Sequence, residues 1–76
     1  MIRVRFEFEG IECEEIAGFI EDFSSYLPYR VWLHEGKVYA SLEFHSLSGV
    51  RRLIGVLNSK GIAFRVVGLV KVSEYG

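Results

Sequence analysis

The spacing of hydrophobic side chains changes repeatedly along this chain, and each change marks an element. Ile2, Val4, Phe6 and Phe8 alternate with Arg3, Arg5 and Glu7, the two-residue period of a strand with one buried face. After Gly10 the spacing lengthens. Ile16, Phe19, Ile20, Phe23 and Leu27 form an i, i+3, i+4, i+7, i+11 stripe, which predicts a helix over residues 12–26 with its apolar side inward. Glu12, Glu14 and Glu15 cluster at its start, where the helix dipole favours carboxylates, and Pro28 ends it. Tyr29, Val31 and Leu33 then alternate with Arg30, Trp32 and His34; after Glu35-Gly36, Val38, Ala40, Leu42 and Phe44 alternate with Lys37, Tyr39, Ser41 and Glu43. This is the pattern of a hairpin. Ser46 or Ser48 is placed to cap a second helix with the stripe Leu47, Val50, Leu53, Ile54 and Leu57, and Gly61 falls where a C-terminal cap needs a left-handed residue. The segment from Ile62 to Val72 is rich in β-branched residues and reads as a last strand.

The order strand, helix, strand, strand, helix, strand predicts an α+β fold of the ferredoxin-like, split βαβ kind: a four-stranded antiparallel sheet with both helices on one face and the other face open. No linker, repeat or low-complexity stretch divides the chain, so residues 1–76 are expected to form a single domain. A domain of this size buries only about 60% of the surface its unfolded chain exposes, so a partner or a dimer would add to its stability.

The parity of the strands has a consequence for charge. If the apolar members face the helices, Arg3, Arg5, Arg30, Trp32, His34, Lys37, Tyr39, Arg65 and Lys71 face outward, opposed only by Glu7 and Glu43. Six of the nine Lys and Arg residues then share one surface, which the formal net charge of −1 conceals. Most other carboxylates lie on or just before the first helix, behind the sheet, so the open face offers a positive field to phosphates. Aromatic rings set among cations are a stacking platform for single-stranded nucleic acid. Tyr39-Ala40-Ser41-Leu42-Glu43-Phe44 resembles the longer motif of the RNA-recognition-motif family, departing at Ser41, where a second ring belongs, and at Arg3 and Arg5, where that family's shorter motif carries an aromatic. The residues leave other readings open: a solvated face on which Trp32 and Tyr39 form a cross-strand pair, or a dimer contact centred on Trp32, Tyr39, Val67 and Leu69.

The helical backs are bare. Ser48, Arg52, Gly55 and Ser59 lie opposite the second helix's stripe with Gly49 and Val56 at the margin, and Gly18 and Ser25 lie on the first. A mid-helix glycine costs about 1 kcal/mol relative to alanine, so Gly18, Gly49 and Gly55, together with Arg52, Val56 and Ser59, are candidate contacts for another protein's helix; tolerated glycines on solvated helices are the plainer account.

From Arg30 to Ser59 the chain resembles the small dimerisation subunit of the KEOPS complex, which helps to make threonylcarbamoyladenosine on transfer RNA. The Gly36 hairpin, Val50-Arg51 at that family's Leu-Arg position and Asn58-Ser59 carry the resemblance; Ser46 replaces the acid that opens the family's helix, Asn58-Ser59 lies about one turn late, and Gly61 stops a helix the family continues. A divergent paralogue is what this implies: a non-catalytic accessory subunit that pairs with itself or a paralogue, docks its helices on a partner subunit and contacts transfer RNA.

Catalytic and metal chemistry have little to build on. One cysteine, Cys13, excludes an internal disulfide, and with the separated His34 and His45 it gives no metal-ligand spacing. Glu12, Glu14 and Glu15 surround Cys13 and disfavour a thiolate nucleophile. Glu9-Gly10-Ile11-Glu12 is acidic where an acylphosphatase-like site would need a phosphate cradle. No enzyme activity, metal or cofactor is therefore expected. An amino-acid-sensing regulatory domain shares the element order and remains an alternative. With no leader-like segment before the first strand and no long uninterrupted apolar run, a cytoplasmic, non-membrane location is expected, and the absence of Gln and Thr with a single Asn fits a thermophile's composition.

Overall fold

In a computed structural model that describes residues 1–24 and 27–71, the elements follow the expected order: β1 (Ile2–Phe8), α1 (Cys13–Phe23), β2 (Tyr29–His34), β3 (Lys37–Phe44), α2 (Leu47–Ser59) and β4 (Phe64–Lys71). The strands form one antiparallel sheet in the order β2-β3-β1-β4. This is the ferredoxin-like α+β arrangement. The expected ends of the first helix at Tyr26 and of the last strand at Val72, and Ser25 of the first helical back, lie outside the described residues. The described helix stops at Phe23, where Ser24 turns extended and its N–H caps the Ile20 carbonyl. Neither helix is long and apolar enough to cross a membrane.

The alternation that defines the strands also defines the core. Val38, Ala40, Leu42 and Phe44 of β3 are buried, as are Val4, Phe6 and Phe8 of β1, and they join Ile16 and Ile20 of α1 and Val50, Leu53 and Leu57 of α2 in one cluster. Phe6 stands at its centre, 6.0 Å from the Phe8 ring and 5.9 Å, edge-on, from Phe64. Leu47, the first residue of α2, is 49% exposed, so the buried stripe begins at Val50. Tyr29 ties β2 to α1 by donating its hydroxyl proton to Glu21 at 2.6 Å, a bond that raises the pKa of the phenol.

Local signals account for the ends of α2. Its C-terminus closes as a Schellman motif: the Gly61 N–H bonds the Asn58 carbonyl and the Ile62 N–H the Leu57 carbonyl, both at 3.1 Å, with Gly61 at φ +70°. Its cap residue is Ser46, whose hydroxyl pairs with that of Ser48 at 2.7 Å rather than with a helix N–H. The β2–β3 hairpin turns on Glu35 and Gly36, both left-handed, at φ +51° and +79°. This is the type I′ geometry that matches the twist of the strands.

β4 departs from strict alternation. Opposite β1 the register runs Phe8↔Phe64, Glu7↔Arg65 and Phe6↔Val66, then shifts to Arg5↔Gly68, Val4↔Leu69, Arg3↔Val70 and Ile2↔Lys71. Val67 is therefore an inserted residue, a β-bulge. Beyond it the parity of the strand is reversed: Gly68 and Val70 fall on the open face, Leu69 and Lys71 on the helix side. On the helix side of β4, Phe64 packs against the core, but the cover thins beyond it. Val66 and Leu69 are 41% and 53% exposed.

Glu35 carries a side chain where the backbone favours Gly or Asn, and among the described residues its carboxylate meets only His34, at 3.9 Å, with the two side chains 85% and 64% exposed. Glu35→Asn is expected to raise stability by about 0.5–1 kcal/mol, read as an increased urea midpoint with an unchanged slope.

Candidate nucleic-acid interface

Pairing across the sheet sorts the open face into rows. One row runs Trp32–Tyr39–Glu7–Arg65, the next Arg30–Ser41–Arg5–Gly68, and a third Glu43–Arg3–Val70. Arg3, Arg5, Arg30, Trp32, Lys37, Tyr39 and Arg65 thus occupy the open face, as their parity in the sequence predicts. Lys71 does not. Its partner is Ile2, on the helix side, because the Val67 insertion reverses the strand's parity before Lys71 is reached; the same shift removes Leu69 from the open-face contact expected of it.

The seven open-face residues divide into two zones. In the first, Glu7 accepts from Lys37 Nζ at 2.9 Å and from Arg65 Nη2 at 2.7 Å, and Lys37 also lies 3.8 Å from Glu9. These contacts explain why Glu7, an open-face carboxylate, is only 6% exposed. Hydrogen bonding to Lys37 first, and to Arg65 second, holds its carboxyl below the ordinary glutamate pKa despite the opposing effect of desolvation; Glu7 in turn raises the pKa of Lys37. Two of the predicted phosphate-binding cations are therefore already answered by a carboxylate.

The second zone is a cleft of about 650 Å³ lined by Arg3, Arg5 and Arg30, with Trp32, Ser41, Glu43, Pro28 and Tyr29 completing it. Its floor is low because the row between Arg30 and Arg5 is occupied by Ser41, the small residue standing where a stacking ring would otherwise fill the space. One carboxylate faces the three guanidiniums: Glu43 accepts from Arg3 at 3.5 Å, the limit of a hydrogen bond. Among the described residues Arg5 and Arg30 have no ion-pair partner. The Arg5 guanidinium lies 5.5 Å from the Trp32 ring centroid, and Trp32 is offset-stacked on Tyr39 at 5.8 Å and 18°. Charge and aromatic surface meet here, at one end of the face. Ser41 and Glu43 were legible in the sequence as open-face residues; their part in shaping a cleft needed the register of three strands.

On the helical side, Arg52 and Val56 line a groove of about 500 Å³ with Phe19, Asp22, Phe23 and Lys60. Arg52 lies 5.9 Å from the Phe23 ring and Lys60 5.4 Å from that of Phe19. Gly18 and Gly55 have open space where a Cβ would stand, whereas a Cβ on Gly49 would meet the Phe44 ring at 3.1 Å. Gly49 thus has a reason within the fold: it lets α2 approach β3. Ser59 donates its hydroxyl to the Val56 carbonyl at 2.8 Å.

Comparison of the chain with protein-family models, with curated proteins and with solved structures finds no match.

The lowered pKa of Glu7 sets the sign of a pH effect. Its ion pairs contribute stability above the unfolded glutamate pKa, about 4.3, and that contribution is lost as the pH falls through the lower folded value. Urea midpoints of the wild type should exceed those of Glu7→Gln at pH 7, with the gap closing below about pH 4.

Proposed function

We propose that this protein is a non-enzymatic accessory subunit that holds a short single-stranded segment of RNA on its open sheet face. The cleft that brings Arg3, Arg5 and Arg30 around a small-residue floor beside Trp32 supports this reading above all other features. Three guanidiniums against one carboxylate leave a net positive site for phosphates, arginine forks suit phosphate oxygens, and the indole at the edge offers a surface on which a base stacks. Lys37 and Arg65, balanced by Glu7 together with Glu9, instead brace the far end of the face.

The resemblance to the small KEOPS subunit supplies the setting for this proposal, a transfer-RNA-modifying assembly in which the subunit contributes contacts and no chemistry. The groove between the helices then serves as the docking surface for a partner subunit, with Phe19, Phe23 and Val56 as apolar contacts and Arg52 and Lys60 flanking them. One observation favours a second reading. The Trp32–Tyr39 stack, 5.8 Å between centroids, has the form of a cross-strand clasp that stabilises the hairpin by about 0.2–1 kcal/mol and requires no ligand.

Titration of a fluorescent single-stranded oligoribonucleotide at several salt concentrations separates these readings. Replacing Arg5 or Arg30 by Ala should weaken binding and make the slope of log K against log salt shallower by about 0.7 for each phosphate no longer neutralised. Lys37→Ala should leave that slope unchanged. Trp32→Ala should cost about 1–3 kcal/mol of binding. Absence of wild-type binding at low salt, or equal slopes for the Arg5 and Lys37 variants, would reject the cleft as the site.

A further inference from the structure

Four of the six large apolar side chains that stand exposed among the described residues belong to β4: Val66 at 41%, Val67 at 40%, Leu69 at 53% and Val70 at 59%. β4 is an edge strand, paired with β1 alone, and among the described residues no strand meets the backbone N–H and C=O groups along its outer side. Between Arg65 and Lys71 runs an uncharged stretch, Val66-Val67-Gly68-Leu69-Val70. Edges of this kind are templates for strand addition unless charge or a bulge blocks them. Here Arg65 and the Val67 bulge guard the first half of the strand and Lys71 its end, leaving Gly68 to Val70 between them regular, uncharged and open.

We infer that the outer edge of β4 pairs antiparallel with β4 of a second copy of this chain, joining two four-stranded sheets into one of eight strands. The reversal of parity at Val67 is what points to a second copy. Val66 and Leu69 lie on the helix side and Val70 on the open side, so the strand is apolar on both faces. A partner strand with one polar face would set that face against uncovered valine or leucine. β1, β2 and β3 each carry charged residues on their open face between their ends or at them; β4 is the strand of this chain whose exposed middle is apolar on both sides.

Register narrows the arrangement further. An axis through Gly68 would oppose Arg65 to Lys71 of the second copy, and Val66, on the helix side, to Val70 on the open side. An axis through Leu69 avoids both conflicts: Leu69 faces its own counterpart on the helix side and Gly68 faces Val70 on the open side, while Lys71 falls at the Val67 bulge of the second copy, where pairing ends, and the two Lys71 residues lie four positions apart. The contact is isologous, with the same strand contributed by each copy. Leu47, exposed at the start of α2, lies at the same end of the helix side, since Phe44, Ile2 and Lys71 are neighbours across the sheet. A two-fold axis perpendicular to the sheet sets both arginine clefts on one surface, and the pairing stands whether or not those clefts bind RNA.

One strand junction is small beside the roughly 800 Å² per partner of a standard interface, so the dimer is expected to build up over the micromolar range. Sedimentation velocity of the full chain should show the mass rising with concentration from 8.7 kDa to twice that value. Leu69→Lys should remain monomeric with an unchanged circular dichroism spectrum. Hydrogen exchange of the wild type, independent of any variant, should slow at the amides of residues 68–71 as concentration rises. A wild type that stays at 8.7 kDa throughout, a Leu69→Lys protein that dimerises as before, or concentration-dependent protection at the helices or β2 instead of β4 would overturn the inference.

Discussion

The side to which each residue of β1 points decides the rest of the molecule. This strand is paired along both edges, with β3 over its whole length and with β4 across the bulge, so its pleat sets the face of every neighbour. Val4, Phe6 and Phe8 go to the helices and are buried to within 2% of complete; Arg3, Arg5 and Glu7 go to the opposite surface. A slip of one residue would bring guanidinium groups into the core, at a cost no nearby carboxylate could offset. The apolar core and the basic face are thus two results of a single register.

What the basic face can do depends on where its carboxylates fall. Counting cations treats Arg3, Arg5, Arg30, Lys37 and Arg65 alike, but Glu7 lies in the same row as Arg65 and next to Lys37, and engages both. Glu43 reaches Arg3 only at 3.5 Å. Opposite ends of one sheet face therefore differ in kind, one a closed ion-pair group and the other an open cleft. The cleft also owes its depth to what is missing, since Ser41 leaves room between Arg30 and Arg5 that a larger side chain would occupy.

How much of this was legible in the sequence follows from how strongly each segment is patterned. β1 and β3 alternate cleanly and fold as read; the stripes of α1 and α2 mark their buried sides; Glu35-Gly36 and Gly61 mark turns that only left-handed residues make. β4 carried no comparable signal. Ile62 to Val70 is almost uniformly apolar apart from Arg65, and a run without polar alternation has no parity to read, so an inserted residue leaves no trace in it. Lys71 was misplaced for that reason. The division of the open face was likewise out of reach, because it depends on residues 7, 37 and 65 becoming neighbours across three strands.

Lys37 and Arg65 clasp a carboxylate almost closed to solvent, though their own side chains are 45% and 73% exposed, so mobile ions reach these pairs from the cation side only. The arginine cleft stands in open water. Added electrolyte therefore acts unevenly along the sheet: it loosens the 3.5 Å Arg3–Glu43 contact, whose side chains are 51% and 29% exposed, more than the 2.7 and 2.9 Å contacts of Glu7, one side of which is shielded.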